Sequence, residues 1–529
     1  MMRTTRSARG MVSAPHARAA ASGARVLAEG GNAIEAALAT AATLAVVYPH
    51  MTGLGGDSFW LIAEPGQMPF TIDGAGRAGA GVSVSLYQER GFNEVPWRGP
   101  LAANTVAGAV SAWSAAFEVS RRWGGRFTLE RIVEEAVALA EQGTVVTGGH
   151  ADALARFRAV LEPMPGFSAL HFVDGRPPAA GTVLRQPALA RTLSTLAREG
   201  LASFYSGPLA DQIAAELAGA GVPLQAADLA DQQAAVGRPL HLALPVADIF
   251  NCGPPSQGLA ALLILGVVSR LPVARPDSFE QVHGIVECTK LAFAIRDREI
   301  GHREDDASVL QRYLVPAELE SMAAGIDPRR ATPWQSAGGG GDTVWFGVID
   351  AAGRAVSALQ SLYFEFGSGV ALPESGFVWQ NRGCAFRLTG QGPNVLAPRH
   401  KPFHTLNPAF ARFPDGRAMV YGAMGGDGQP QTQAAVFSRY ALYGQDLQES
   451  ISAPRWVLGR TWGESRSALR LESRFPAELL ADLAAAGHPV ERVAAFDQVM
   501  GHAGAIVHSP GARFEGASDP RSDGAAIGC

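Results

Sequence analysis

The sequence predicts an α+β protein in which strands form layered sheets covered by helices. Three observations carry that reading. Apolar residues recur at helical spacing in 16–47 and through most of the stretch from about 103 to 325. A segment rich in Gly and Pro occupies 326–342. Beyond it the pattern turns to paired strands around short turns. With 529 residues the chain suffices for one large α/β domain or two to three ordinary ones. A hydrophobic fraction of 47% against 18% charged residues supplies a sizeable core.

In chain order, 16–29 and 33–47 read as two helices parted by Gly30-Gly31-Asn32, and 58–63 as a strand after the turn Gly53-Leu54-Gly55-Gly56-Asp57. The clearest later helices are 128–142, 187–199, 256–270 and 278–298. Past the linker, 343–350 and 354–361 flank Ala351-Ala352-Gly353 as a hairpin, and 409–413 with 418–423 flank Pro414-Asp415-Gly416 as another. A helix at 431–443, a strand at 469–471, a helix at 476–486 and a strand at 503–508 complete the pattern. The last stretch, about 509–529, is dominated by Gly, Ser, Asp and Pro and reads as a disordered tail.

A net charge of −5 gives no electrostatic footprint for nucleic acid or an anionic membrane. Cys252, Cys288, Cys384 and Cys529 lie far apart without metal-ligand spacing, so neither a disulfide framework nor a metal site is expected, and no cofactor motif is present. His283 and Cys288, five apart, do not share a helix face and read as core. Gly338-Gly339-Gly340-Gly341 is not followed by Lys-Ser/Thr, so it is no phosphate loop. Arg296-Asp297-Arg298-Glu299 reads as a solvated helix end. The first ten residues carry charge with no apolar stretch behind them, which is not a signal peptide. No run of about 18 apolar residues occurs, so the expected location is cytoplasmic.

The most informative junction is Gly341-Asp342-Thr343-Val344, where a glycine linker ends at a threonine that opens a strand. A threonine hydroxyl needs a base. Cutting the bond before Thr343 would create one, an α-amine on the same residue with a pKa of about 7.7–8. The plainer alternative is a glycine-rich loop before an edge strand.

Several ordered motifs resemble the γ-glutamyltransferase superfamily of N-terminal-nucleophile hydrolases: 11–62, with Gly30-Gly31-Asn32-Ala33 and Met51-Thr52-Gly53-Leu54-Gly55-Gly56-Asp57; Thr343-Val344-Trp345-Phe346-Gly347; Phe366-Gly367-Ser368-Gly369; Pro373-Glu374-Ser375-Gly376; Asn407-Pro408; and Gly422-Ala423-Met424-Gly425-Gly426. The resemblance runs from about 11 to about 508. It implies an αββα sandwich, self-cleavage into two subunits that form one domain (1–342 with the flexible linker 326–342, and 343–529), and a heterodimer of the pieces, with further dimerisation open. Position by position, it implies Thr343 as nucleophile and Ser361 as its hydroxyl partner. Gly425 and Gly426 would be oxyanion donors, with a simple turn after a strand as the alternative.

The family clamps an amino acid, and here the sequence departs from it. The arginine for the α-carboxylate falls near Val84, with Arg77 the nearest basic residue, and the aspartate for the α-ammonium falls on Ala385. Arg382 stands where the family has glutamine, Tyr363 where it has asparagine, and His404-Thr405 where it has two serines. A carboxylate is lost and a guanidinium gained, so the site favours an anionic, non-amino substrate that Arg382 can hold bidentately. This pattern resembles the oxamate amidohydrolase branch, with Arg382, Tyr363, His404 and Thr405 as substrate contacts. For Arg382 a surface ion pair, for Tyr363 a core role and for His404 a structural hydrogen bond stay open. The alternatives for the whole chain are γ-glutamyl hydrolysis or transfer on glutathione-like substrates, a dicarboxylic-amide acylase, or an inactive ligand-binding scaffold.

Overall fold

The computed structural model describes residues 2–273, 275–304, 307–334, 341–460, 467–511 and 513–529. Of the glycine linker, 335–340 lies outside the described residues.

Alternation along the strands separates the core into layers. In Asp57–Ala63, Phe59, Leu61 and Ala63 enter one cluster while Trp60 and Ile62 enter another. The first cluster lies between two seven-stranded sheets and includes Trp345, Leu359, Phe410, Val420, Ile506 and Phe514. The second lies between one sheet and the helices Ala17–Ala28, Ala33–Val47, Ala109–Arg122, Leu129–Gln142 and Pro187–Glu199. A third packs the other sheet against Gly258–Val268, Phe279–Glu299 and Gly428–Phe437. The result is the αββα sandwich.

One sheet runs, edge to edge, Thr5–Ser7, Arg513–Ser518, Ala503–Ser509, Ala418–Ala423, Ala409–Arg412, Ala247–Asn251, Leu240–Leu244. The other runs Ala525–Gly528, Met11–Ala14, Asp342–Ile349, Ala355–Tyr363, Asp57–Ala63, Phe70–Gly74, Ala235–Gly237. All neighbours are antiparallel. Ala33–Val47 is buried along its whole length, and its start is fixed by a capping box between Asn32 and Glu35.

Two expectations are corrected. The tail at 509–529 is not disordered in the described residues: Arg513–Ser518 and Ala525–Gly528 each join a sheet. Composition misled because two of the three partners, Thr5–Ser7 and Met11–Ala14, come from the other end of the chain, and Phe514 is fully buried between the sheets. Within the stretch expected to be mostly helical, Leu240–Leu244 and Ala247–Asn251 form a hairpin at a sheet edge. No helix among the described residues is long and apolar enough to cross a membrane.

Candidate active site

In Asp342–Ile349, Val344, Phe346 and Val348 face the helices while Trp345 and Ile349 face the other sheet. Period-two alternation places Thr343 at the end of the inter-sheet face. The register shifts there. Asp342 pairs with Tyr363 and Val344 with Gln360, so Ser361 and Leu362 together face Thr343 alone. Such a bulge bends the strand and re-aims a side chain. Thr343 is fully buried, and its hydroxyl donates to Ser361 Oγ at 3.2 Å. Ser361 Oγ also accepts the Tyr363 N–H at 2.8 Å.

The glycine pair comes from the facing sheet. Trp345 lies so close to Gly422 and Gly504 that a Cβ at either would overlap its ring. Gly353, at the far turn of the hairpin that carries Thr343, lies against His508, which pairs with Ala418. Gly425 and Gly426, beyond Ala423, therefore follow the end of the strand nearer Thr343. Both have positive φ, 119° and 52°, which glycine adopts without strain. Neither N–H donates to another backbone group among the described residues.

That turn is braced from behind. Gln257 Nε2 donates to Gly426 O at 3.0 Å and Thr405 O at 2.9 Å. Arg296 Nη1 donates to Asp427 Oδ1 at 2.7 Å and to Gln257 Oε1 at 3.2 Å, and its guanidinium lies 3.8 Å from the Phe293 ring centre. The solvated helix end predicted at 296–299 is thus wrong for Arg296, which is 2% exposed. Ala292, Phe293 and Arg296 share the buried face at three- and four-residue spacing.

Arg382 begins a short turn, Arg382–Ala385, and is fully buried. Its Cζ sits 3.6 Å from the Tyr363 ring centre, and Nη2 donates to Thr405 Oγ1 at 3.3 Å. Among the described residues, Nε and Nη1 have no hydrogen-bond partner. It is therefore no surface ion pair. Burial lowers its pKa to about 10, so it stays charged at neutral pH. Tyr363 has φ of +82°, a strained value for a bulky residue and a hallmark of functional sites. The Gly341 backbone lies against its ring.

His404, expected as a substrate contact or as a structural hydrogen-bonding residue, has both nitrogens engaged by protein. Nδ1 accepts the Leu406 N–H at 3.4 Å, so Nε2 carries the proton and donates to Asp57 Oδ2 at 3.1 Å. Thr405 meets Arg382. Val84 packs beside the apolar cluster of Phe386, Leu388 and Leu396, Ala385 ends the Arg382 turn, and Arg77 donates outward to Arg399 O at 3.0 Å.

Asp57 was missed as a functional candidate. It is fully buried; burial pushes its carboxyl up to about 7, and the Arg382 charge opposes that rise. The available signal was a carboxylate just before the apolar run 59–63 of a buried strand.

His283, Glu287 and His488 bring donor atoms within 4.8 Å of one another. Lys290 Nζ sits 2.6 Å from Glu287 Oε1, Glu287 Oε2 accepts the Thr332 N–H, and the nitrogens of His283 meet His488 and Asp327 O. These bonds tie the cluster to 327–332, while His488 Nδ1 has no hydrogen-bond partner among the described residues.

The sequence profile described as Gamma-glutamyltranspeptidase matches residues 19–529. The chain is 52% identical to the oxamate amidohydrolase proenzyme of Klebsiella pneumoniae over 99% of each. It is 38% identical to the glutathione hydrolase-like YwrD proenzyme of Bacillus subtilis over 98% of each. The crystal structure of cephalosporin acylase from Bacillus halodurans superposes with a TM-score of 0.90 at 30% identity, covering 100% of this chain and 97% of that one. The sandwich, the threonine at its inter-sheet end and these full-length likenesses agree: the chain belongs to the gamma-glutamyltranspeptidase family and is an amidohydrolase of the N-terminal-nucleophile type.

Proposed function

We propose that the protein cleaves itself before Thr343 and then hydrolyses a small carboxylate-bearing amide, specifically oxamate to oxalate and ammonia. The observation that carries the substrate class is Arg382: a fully buried guanidinium with two unpaired donors over the ring of Tyr363. Buried guanidinium donors without acceptors are costly, and a ligand carboxylate supplies the missing acceptors. Ala385, where the family has its ammonium partner, offers nothing to a substrate amine.

In the maturation step Thr343 Oγ adds to the Asp342 carbonyl, its proton passes to the Thr343 nitrogen as the peptide C–N bond breaks, and water hydrolyses the resulting ester. The freed amine then serves as base. It takes the hydroxyl proton while Oγ attacks the amide carbon, and delivers it to the departing nitrogen, which leaves as ammonia. Water, deprotonated by the same amine, releases oxalate from the acyl-threonine. The Gly425 and Gly426 N–H groups stabilise the oxyanion in each addition. Ser361 holds the Thr343 hydroxyl, and the two pieces remain together as a heterodimer.

A second reading has its own support. A cavity of about 690 Å³ opens beside Tyr363 and Ala385 and is lined by Trp97, Phe157, Phe364 and Phe403. That exceeds the needs of oxamate and favours a bulkier amide, as for a dicarboxylic-amide acylase.

A substrate panel separates the readings: ammonia from oxamate, against aniline from glutaryl and γ-glutamyl anilides. Oxamate is expected to turn over fastest. Arg382→Ala is expected to lower kcat/KM for oxamate by about 10²-fold, the scale of losing one or two charge-assisted hydrogen bonds, with processing intact. Faster release from either anilide replaces oxamate as the substrate.

A further inference from the structure

We propose that Asp57 is the positioning residue of the anion subsite, fixing the two loops between which Arg382 is held. The inference rests on the reading of Arg382 as substrate clamp. Asp57 Oδ1 accepts Gly76 N at 3.0 Å, Gly108 N at 3.0 Å and Gln380 Nε2 at 2.9 Å, while Oδ2 accepts His404 Nε2 at 3.1 Å. Gln380 lies two residues before Arg382. His404 lies next to Thr405, whose hydroxyl accepts Arg382 Nη2. One carboxylate therefore ties the loop that carries the guanidinium to the loop that carries its hydroxyl partner. The tie is anchored to the catalytic sheet, because Asp57 stands directly opposite Ser361 in the strand register.

The chemistry of the hub is specific. Four donors converge on one side chain, so a group with two acceptor oxygens is required. Gln380 is further pinned by its bond to Val106 O at 2.7 Å. His404 cannot turn to another acceptor without giving up its bond from Leu406. The protein donors account for the carboxylate, and Asp57 acts on substrate through Arg382. Small displacements of a clamp weaken capture steeply, since its hydrogen bonds depend on distance and direction.

Asp57→Asn is isosteric and selective. Its carbonyl oxygen can keep the three N–H donors, but its NH₂ faces the Nε2–H of His404, so the tie to 404–405 breaks. Asp57→Ala breaks both ties. With processed enzyme, Asp57→Asn is expected to raise KM for oxamate about tenfold and Asp57→Ala about a hundredfold, with kcat within about threefold of wild type. The inhibition constant of oxalate, measured as binding by calorimetry and as competition, should rise by the same factors. Cleavage before Thr343 should stay complete, because the Thr343–Ser361 bond does not pass through Asp57. If Asp57→Ala fails to fold, Asp57→Asn alone decides. A fall in kcat with KM and oxalate affinity unchanged, or wild-type values throughout, overturns the proposal. Wild-type enzyme that neither hydrolyses oxamate nor binds oxalate overturns the Arg382 reading and this one with it. Wild-type enzyme that does both while the Asp57 variants match it overturns this one alone.

Discussion

Thr343→Ala protein is expected to remain one full-length chain and to lose hydrolysis by about 10⁶-fold, the scale found when an activated nucleophile is removed. Two functions should fail together because one oxygen serves both in the proposed mechanism. There it attacks the preceding carbonyl in the precursor and the substrate in the mature enzyme, assisted by an amine that exists only after the first event. Thr343→Ser keeps the hydroxyl and should keep both, more slowly. Intact-mass spectrometry reads the first effect, as one chain instead of two pieces ending at Asp342 and beginning at Thr343. Ammonia release reads the second. A wild-type protein that stays uncut yet turns substrate over contradicts the mechanism at its root.

The second large effect concerns Arg296. Arg296→Ala is expected to destabilise the fold by about 3–5 kcal/mol, the cost of leaving a buried partner charge uncompensated. It should also lower kcat by about 10²–10³-fold, as for a lost oxyanion donor, because Asp427 directly follows Gly425-Gly426. Burial already pushes the Asp427 carboxyl above the usual carboxylate range, and Arg296 opposes that rise. Without Arg296 the folded-state pKa climbs further. A carboxyl whose folded pKa lies above its unfolded value is tolerated while protonated and penalised as pH rises through the folded value. The stability deficit should therefore shrink on mild acidification, measured by urea unfolding at several pH values. A deficit independent of pH assigns the loss to packing against Phe293 instead.

Much of this was legible in the sequence. The helices at 33–47 and 187–199 and the hairpin around Ala351-Ala352-Gly353 follow from periodicity and turn residues, which act over a few positions. Thr343 and Ser361 meet as expected because they lie on one hairpin. What was hidden is what distant segments do to one another. Arg296 looked solvated beside three other charged residues, yet helical geometry turns it inward to an aspartate 131 positions away. Asp57 looked like a turn residue because Gln380 and His404 lie more than three hundred positions off. The tail looked disordered because two of its three sheet partners are the first strands of the chain.

The interleaving of the two ends carries a consequence for the life of the enzyme. Along both sheets, blocks of strands from before Thr343 lie beside blocks from after it, and five seams join one side of Thr343 to the other. In the uncut chain every seam closes within a single molecule. Under the proposed cut before Thr343 the same architecture would become a knit of two polymers, and a thermal excursion that unravels it would set them adrift as separate solutes. Reassembly then becomes a second-order encounter that slows with dilution and competes with aggregation of exposed strands. The persistence of the cut enzyme would thus be governed by its unfolding barrier, and its folding would be a one-time event completed while the chain was whole.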